Sequence, residues 1–333
     1  MVFWPFLLLA LVLITISAGV SLGAAPIPVT TVWKILANHI KPDSFAIDWT
    51  QGRESIVWDV RFPRVLLGGL IGAGLALTGA VLQPATRNPL ADPHLLGVSS
   101  GAAFGAIVAL LHTGMVLGLL TVPLFAFMGA LLATALVPMI AGATRGLQAD
   151  RLVLSGVIVA FFFTALGNIL VFLGDPRATQ TVMFWMLGGL GLAQWHHLIY
   201  PAAVLMAALA YLLPNAQLLN AMAMGDETAT TLGVNVPRFR LTLFVVSALV
   251  TGTMVAFSGA IGFVGLMVPH MVRALAGSDN RGVLALSTVV GGLVLIAADL
   301  VARLAAAPED MPIGIVTGLI GCVAFVWIMR KAE

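Results

Sequence analysis

An all-α, polytopic bundle of about ten membrane-crossing helices, built as pseudo-repeated halves, follows from three features of the 333-residue sequence. The chain is 60% hydrophobic and only 9% Asp, Glu, Lys and Arg, with a mean hydropathy of +1.06. A water-soluble domain carries about a quarter charged residues. Its apolar residues recur from end to end in runs of roughly the 20 needed to cross a bilayer as a helix. Its 35 glycines fall mostly inside those runs, where small residues let helix backbones approach closely in lipid. The formal charge of +2 is small and dispersed, which argues against a nucleic-acid partner. The one cysteine, Cys322, makes no internal disulfide and no cysteine metal cluster.

The first run, 3–24, reads as a retained span. No Lys or Arg precedes it and it exceeds a usual signal core, although Gly23-Ala24-Ala25 supplies small residues at a cleavage-like position. Residues 25–60 form the one long polar connection of the first half, placed outside. Further spans follow at 63–84, 94–112, 117–140, 151–173, 193–213, 240–261, 266–276, 283–304 and 312–330. The eighth carries Pro269 and His270, which favour a break. The amphipathic stretch 218–240 holds Asp226, Glu227, Arg238 and Arg240 and is placed in the cytoplasm. No soluble second domain and no low-complexity tract interrupts the chain, so residues 1–333 form a single transmembrane domain.

Basic residues set the orientation. With both termini inside, Arg87, Arg145, Arg151, Arg238, Arg240, Arg273, Arg281, Arg330 and Lys331 are cytoplasmic. Lys34, Lys41, Arg53, Arg61, Arg64, Arg177 and Arg303 are outside, most of them in or beside the long connection. Gly97, Gly101 and Gly105 form two overlapping G-x-x-x-G steps, a helix-packing signal; Gly68 and Gly72 form another. Leu77-Thr78-Gly79-Ala80 and Phe257-Ser258-Gly259-Ala260 are a faint echo between halves.

Several chemistries are missing. The chain has no G-x-x-x-x-G-K-[ST], and its lysines are Lys34, Lys41 and Lys331, so it carries no P-loop for ATP. The six histidines lack metal-ligand spacing; the adjacent His196 and His197 point about 100° apart on a helix. Gly97-Val98-Ser99-Ser100-Gly101 fits G-x-S-x-G, but a turn with Pro89 and Pro93 precedes it where a nucleophile elbow needs a strand. A hydrolase reading would pair that serine with His270. Asp299 is the clearest ionisable group inside a span. It is either a proton relay, as in a secondary transporter acting alone, or the i, i+4 ion-pair partner of Arg303.

Specific runs then point to a family. Arg61-Phe62-Pro63-Arg64, Leu75-Ala76-Leu77-Thr78-Gly79-Ala80-Val81-Leu82-Gln83, Arg87-Asn88-Pro89-Leu90-Ala91-Asp92-Pro93 and Leu96-Gly97-Val98-Ser99-Ser100-Gly101-Ala102 occur in that order. Gly225-Asp226-Glu227-Thr228-Ala229 with Leu232-Gly233-Val234, Ile261-Gly262-Phe263-Val264-Gly265-Leu266 with Val268-Pro269-His270, Leu300-Val301-Ala302-Arg303 and Met311-Pro312-Ile313-Gly314-Ile315-Val316-Thr317 follow. Over roughly residues 55–330 the chain resembles the FecCD family, the permeases of type II ABC importers for iron-siderophores, haem and cobalamin.

That resemblance implies a homodimer in a bacterial plasma (inner) membrane, with two ATP-binding cassette subunits inside and a periplasmic or lipoprotein binding protein outside. ATP and Mg would sit on the partner subunits, with no cofactor or metal on this chain, which is then not itself an enzyme. The cargo would be a metal chelate, with ferric siderophore first, haem next and cobalamin third. By resemblance, Gly225, Asp226, Glu227, Thr228, Ala229, Leu232 and Gly233 form the ATPase-coupling segment. The residues themselves read as a short helix with acids near its N-terminus and Gly233 at its close. Asn88 and Leu90 match one cytoplasmic gate position and Ala149 and Asp150 the second, where Asp150 departs from the family toward an acidic residue. Arg61, Arg64 and Arg303 match positions that dock the binding protein, with snorkelling into headgroups as the plainer reading.

Overall fold

The computed structural model describes residues 3–143 and 148–331. Arg145, assigned above to the inner face, lies outside the described residues. All regular elements among the described residues are helical: α1 (Phe3–Ser21), α2 (Val29–Ile40), α3 (Gln51–Ser55), α4 (Phe62–Thr86), α5 (Val98–Val108), α6 (Thr121–Ala143), α7 (Ala149–Leu173) and α8 (Pro176–Met186), then α9 (Ile199–Leu212), α10 (Ala216–Ala223), α11 (Asp226–Thr231), α12 (Val236–Ser258), α13 (Val264–Ala276), α14 (Asn280–Ala305) and α15 (Ile313–Lys331). Among the described residues, six helices are long and apolar enough to cross a membrane, and four shorter apolar helices (Phe6–Ser21, Val98–Thr113, Val264–Ala276 and Ile313–Ala324) complete a set consistent with ten.

The second span begins earlier than hydropathy places it. Thr50 accepts a hydrogen bond from the Arg53 N–H, and α3 runs through a π-helical turn at Ile56–Arg61 into α4, giving one helix over Gln51–Thr86. The connection at 25–60 is therefore mostly folded. In α2, Val32 and Ile35 pack against Val20, Ile27, Val57 and Val65. Its polar side is fixed by Lys34–Asp48 and by paired hydrogen bonds between Asn38 and the Phe45 backbone. His39 stacks on Trp58 at 3.9 Å and meets Glu54 at 3.1 Å.

Helix α4 is the hub of the bundle. Of its most apolar window 83% is buried by protein, against 22% for α7, which exposes Ile158, Phe161, Ile169 and Phe172. Small residues on several sides of α4 make this burial possible. A side chain at Gly72 would overlap the Gly291 carbonyl of α14, and one at Gly79 the Gly265 carbonyl of α13. Gly101 and Gly105 sit equally close to the Gly129 and Phe125 carbonyls of α6. Gly97 has a second use: its φ of +72° turns the short helix Pro93–Leu96 into α5.

Pro269 does not break α13, contrary to the expectation above. A proline inside a helix leaves the carbonyl four residues earlier without its donor; here that is Gly265. The Gln83 side-chain amide of α4 donates to it at 3.4 Å and to Leu266 O at 3.2 Å. The exchange is mutual. Pro84 frees Ala80 O, and Arg273 of α13 donates to it at 3.4 Å while also bonding Gln83. In lipid, backbone groups freed by proline need such partners.

The halves share an order of packing: α4 lies on α14 as α12 lies on α6, and the last residues before α5 and α13, Gly97 and Phe263, are both left-handed. The four-residue echo is out of register with this pairing. Leu77–Ala80 lies inside α4, whereas Ser258 ends α12 and Gly259 (φ +68°) lies beyond it. The echo therefore does not mark equivalent positions.

Candidate functional site

Functional candidates gather at the two ends of α4. At its N-terminal end, the three arginines are not held out as free cations; each is less than a tenth exposed. Helix α1 ends with no basic residue of its own, leaving its last carbonyls to find donors elsewhere. Arg61 donates to Val20 O, Ser21 O and Ala25 O at 2.9, 3.0 and 2.6 Å. Arg303 donates to Gly19 O and Leu22 O at 2.7 and 3.2 Å. The two guanidinium groups together cap α1, and positive charge there also suits its dipole.

Asp299, 2% exposed, lies between Arg64 and Arg303. Arg64 Nε and Nη2 reach it at 3.0 and 2.9 Å, and Arg64 Nη1 reaches Asp310 at 2.5 Å. Arg303 Nε stands 3.0 Å from Asp299, aimed off the carboxylate, so that contact is ionic rather than hydrogen bonded. The ion-pair alternative for Asp299 thus holds, with Arg64 as a further partner 235 residues away that no local pattern reveals. A buried carboxylate needs such pairing, because an uncompensated charge costs several kcal/mol. These contacts give each arginine an intramolecular role, in place of a free side chain reaching for headgroups.

At the other end of α4, Arg87 (φ +51°) closes the helix and the chain turns through Asn88, whose side chain accepts from Leu90 N at 2.9 Å. A cleft here brings Asn88 together with Ala149 and Asp150 at the start of α7, along with Val153 and Val157. Leu90, half exposed, is not in that lining. The four positions expected to form a gate therefore share one end of the bundle, with three of them on one cleft.

The segment expected to couple to an ATPase lies at this same end. Gly225 (φ +124°) leads into α11, and Gly233 (φ +86°) closes it, with Val234 N donating to Ala229 O. Asp226 binds Arg240 at 2.6 Å, and Arg240 also donates to Ala85 O of α4 at 3.1 Å. Asn220 of α10 bonds both Asp279 and Asn280 at the start of α14. The Asn220 hydrogen bond, with help from the Arg281 backbone N–H, holds the Asp279 carboxyl below its usual range. Its contribution to this tie is present at neutral pH and falls away as acid protonates the group. Ala229 faces inward, while Glu227, Thr228, Met224 and Leu232 are exposed. The result is a short helix with an acidic and apolar tip, anchored to α4 through Arg240 and preceded by α10, which is itself tied to α14.

The G-x-S-x-G serine pairs with a histidine the sequence reading did not name for it. Ser99 Oγ is 2.6 Å from His94 Nδ1, and His94 Nε2 is 2.8 Å from Ile261 O. With a helical turn before it and a backbone carbonyl on the far nitrogen, this is a pin between the entries to α5 and α13. Neither a strand nor a third acidic group supports nucleophile chemistry there. His270 faces a different cleft.

Residues 8–331 match the model of the FecCD transport family. The chain is 40% identical over 325 residues to the cobalamin import system permease protein BtuC of Halobacterium salinarum, covering 96% of this chain and 86% of that one. It is 35% identical over 332 residues to the hemin transport system permease protein HmuU of Yersinia pestis, covering 98% and 95%. A solved inward-facing structure, described as a metal-chelate type ABC transporter, superimposes with a TM-score of 0.83 at 30% identity over 98% of both chains.

Proposed function

The chain belongs to the FecCD transport family, as a multi-pass membrane permease of the ABC-importer type, and on that premise we propose how its two ends divide the work of import. Two copies assemble about a two-fold axis and pass a bulky metal chelate inward. The α11 end faces the cytoplasm, where two ATPase subunits seat on it; the arginine end faces a binding protein outside. The single observation that carries this reading is α11 itself. An exposed helix of six residues is fixed to the hub through Asp226–Arg240 and follows directly on α10, whose Asn220 bonds the start of α14. Force applied to its tip therefore reaches α4 directly and α14 through α10.

Asn88, Leu90, Ala149 and Asp150 form the inner gate in this reading. Docking is placed on the surface built by Arg61, Arg64 and Arg303. Three arginines against Asp299 and Asp310 leave that surface net positive, which suits acidic lobes and would act mainly on encounter rate. The cargo is a metal chelate. The family resemblance gave ferric siderophore, haem and cobalamin, and the relatives named above carry cobalamin and hemin in their names. The test is uptake by the reconstituted importer from a panel of labelled cobalamin, haem and ferric siderophores. One chelate class should accumulate well above the others; accumulation of none removes the cargo assignment.

A further inference from the structure

A second cleft opens at the α11 end, between the turn after α4, the C-terminal half of α13 and the start of α14. It shares no residue with the Asn88–Asp150 cleft. Its polar lining is Gln83, Arg87, His270, Arg273, Ser278 and Asn280, two arginines and a histidine with no carboxylate among them. The nearby acids are engaged elsewhere: Asp226 bonds Arg240 and Asp279 bonds Asn220. Arg87 is about half exposed, and its one acidic neighbour, Asp226, stands 4.0 Å away, a solvent-screened contact that leaves its donors open. Among the described residues, neither the His270 ring nor the Ser278 hydroxyl has a hydrogen-bond partner.

Asn280 adds the observation that narrows the ligand. It is 3% exposed, its Nδ2 donates to Asn220, and its Oδ1 has no partner. A buried amide oxygen left unpaired is destabilising, so the cleft is short of one donor as well as one anion. A plain carboxylate supplies the charge but no donor. A phosphate bearing a hydroxyl supplies both, and paired guanidinium groups suit its oxygens.

We propose that this cleft binds a hydroxyl-bearing phosphate, its anionic oxygens on Arg87 and Arg273 and its hydroxyl on Asn280 Oδ1. Both a phosphoglycerol lipid headgroup and free hydrogen phosphate have that chemistry. The test follows thermal unfolding of the full chain in detergent at constant ionic strength, titrated with inorganic phosphate, dihexanoyl phosphatidylglycerol or dihexanoyl phosphatidylcholine. Phosphatidylglycerol should raise the midpoint and phosphatidylcholine should not. A rise with inorganic phosphate too assigns free phosphate as a source; a rise with phosphatidylglycerol alone assigns the lipid headgroup. Arg87→Gln should weaken the half-saturating concentration about tenfold, the loss of one charge-assisted hydrogen bond. Ser278→Ala, at an exposed position, gives a weaker loss with the fold undisturbed. Equal midpoints in all three titrations, or rises undiminished in both variants, overturn the proposal.

Discussion

Asp299 bridges Arg64 and Arg303, so truncating Arg64 or Asp299 takes an ionic partner from a charge that is itself buried. Arg64→Gln and Asp299→Asn should each lower stability by about 3–5 kcal/mol, read as a clear fall in thermal midpoint in detergent. A variant removing both charges should recover part of the loss. This burial also decides how docking can be tested, since charge reversal at Arg61, Arg64 or Arg303 would damage the fold before it reported on a partner. Asp310 is the better probe, being 45% exposed and, among the described residues, bound to Arg64 alone. Asp310→Asn should speed association of the binding protein, with the rate falling as salt rises; an unchanged or slower rate would move the docking surface elsewhere. The arginines were legible as a group that needed a reason. Their use in capping α1 was not, because hydropathy says nothing about which carbonyls at a helix end lack donors.

Helices α4 and α13 depend on each other through their prolines. Gln83→Leu should leave Gly265 O unpaired and cost about 1–3 kcal/mol. Pro269→Ala in that background returns the backbone N–H and should restore much of the loss, whereas Pro269→Ala alone should change little. Equal loss in the single and double variants would show that Gln83 acts by packing alone. The coupling helix gives an independent prediction. Gly233→Pro forbids the left-handed close of α11, and Glu227→Arg reverses charge at its exposed tip. Both should reduce substrate-stimulated ATP hydrolysis by the assembled importer while thermal stability stays near wild type; unchanged hydrolysis in both would place coupling elsewhere. Apolar runs located most of the crossing helices, and Gly225 and Gly233 bounded α11. The sequence pattern failed at the proline of α13 and at the π-turn into α4. In both cases the deciding partner, Gln83 or the continuing turn at Ile56–Arg61, is invisible to a hydropathy window.

Across the whole molecule, one helix joins the two ends. The N-terminus of α4 lies in the arginine cluster and its C-terminus is held by Arg240 and Arg273 beside α11 and the Asn88–Asp150 cleft. An event at either end therefore acts on the same rigid, close-packed element. Its glycine contacts with α13 and α14 leave little room to deform, so motion is expected between packed units rather than within α4. The order of elements and the absence of a P-loop were readable from sequence, and so was the family. The pairing of halves was not, because their equivalence lies in packing and in the left-handed residues Gly97 and Phe263, not in the four-residue echo. The most direct measurement is chelate accumulation in proteoliposomes holding this chain with its ATPase and binding protein. Accumulation should require ATP and the ATPase subunit, stop when hydrolysis is blocked, and be indifferent to an imposed proton gradient. Accumulation by this chain alone, driven by that gradient and abolished by Asp299→Asn, would contradict the account.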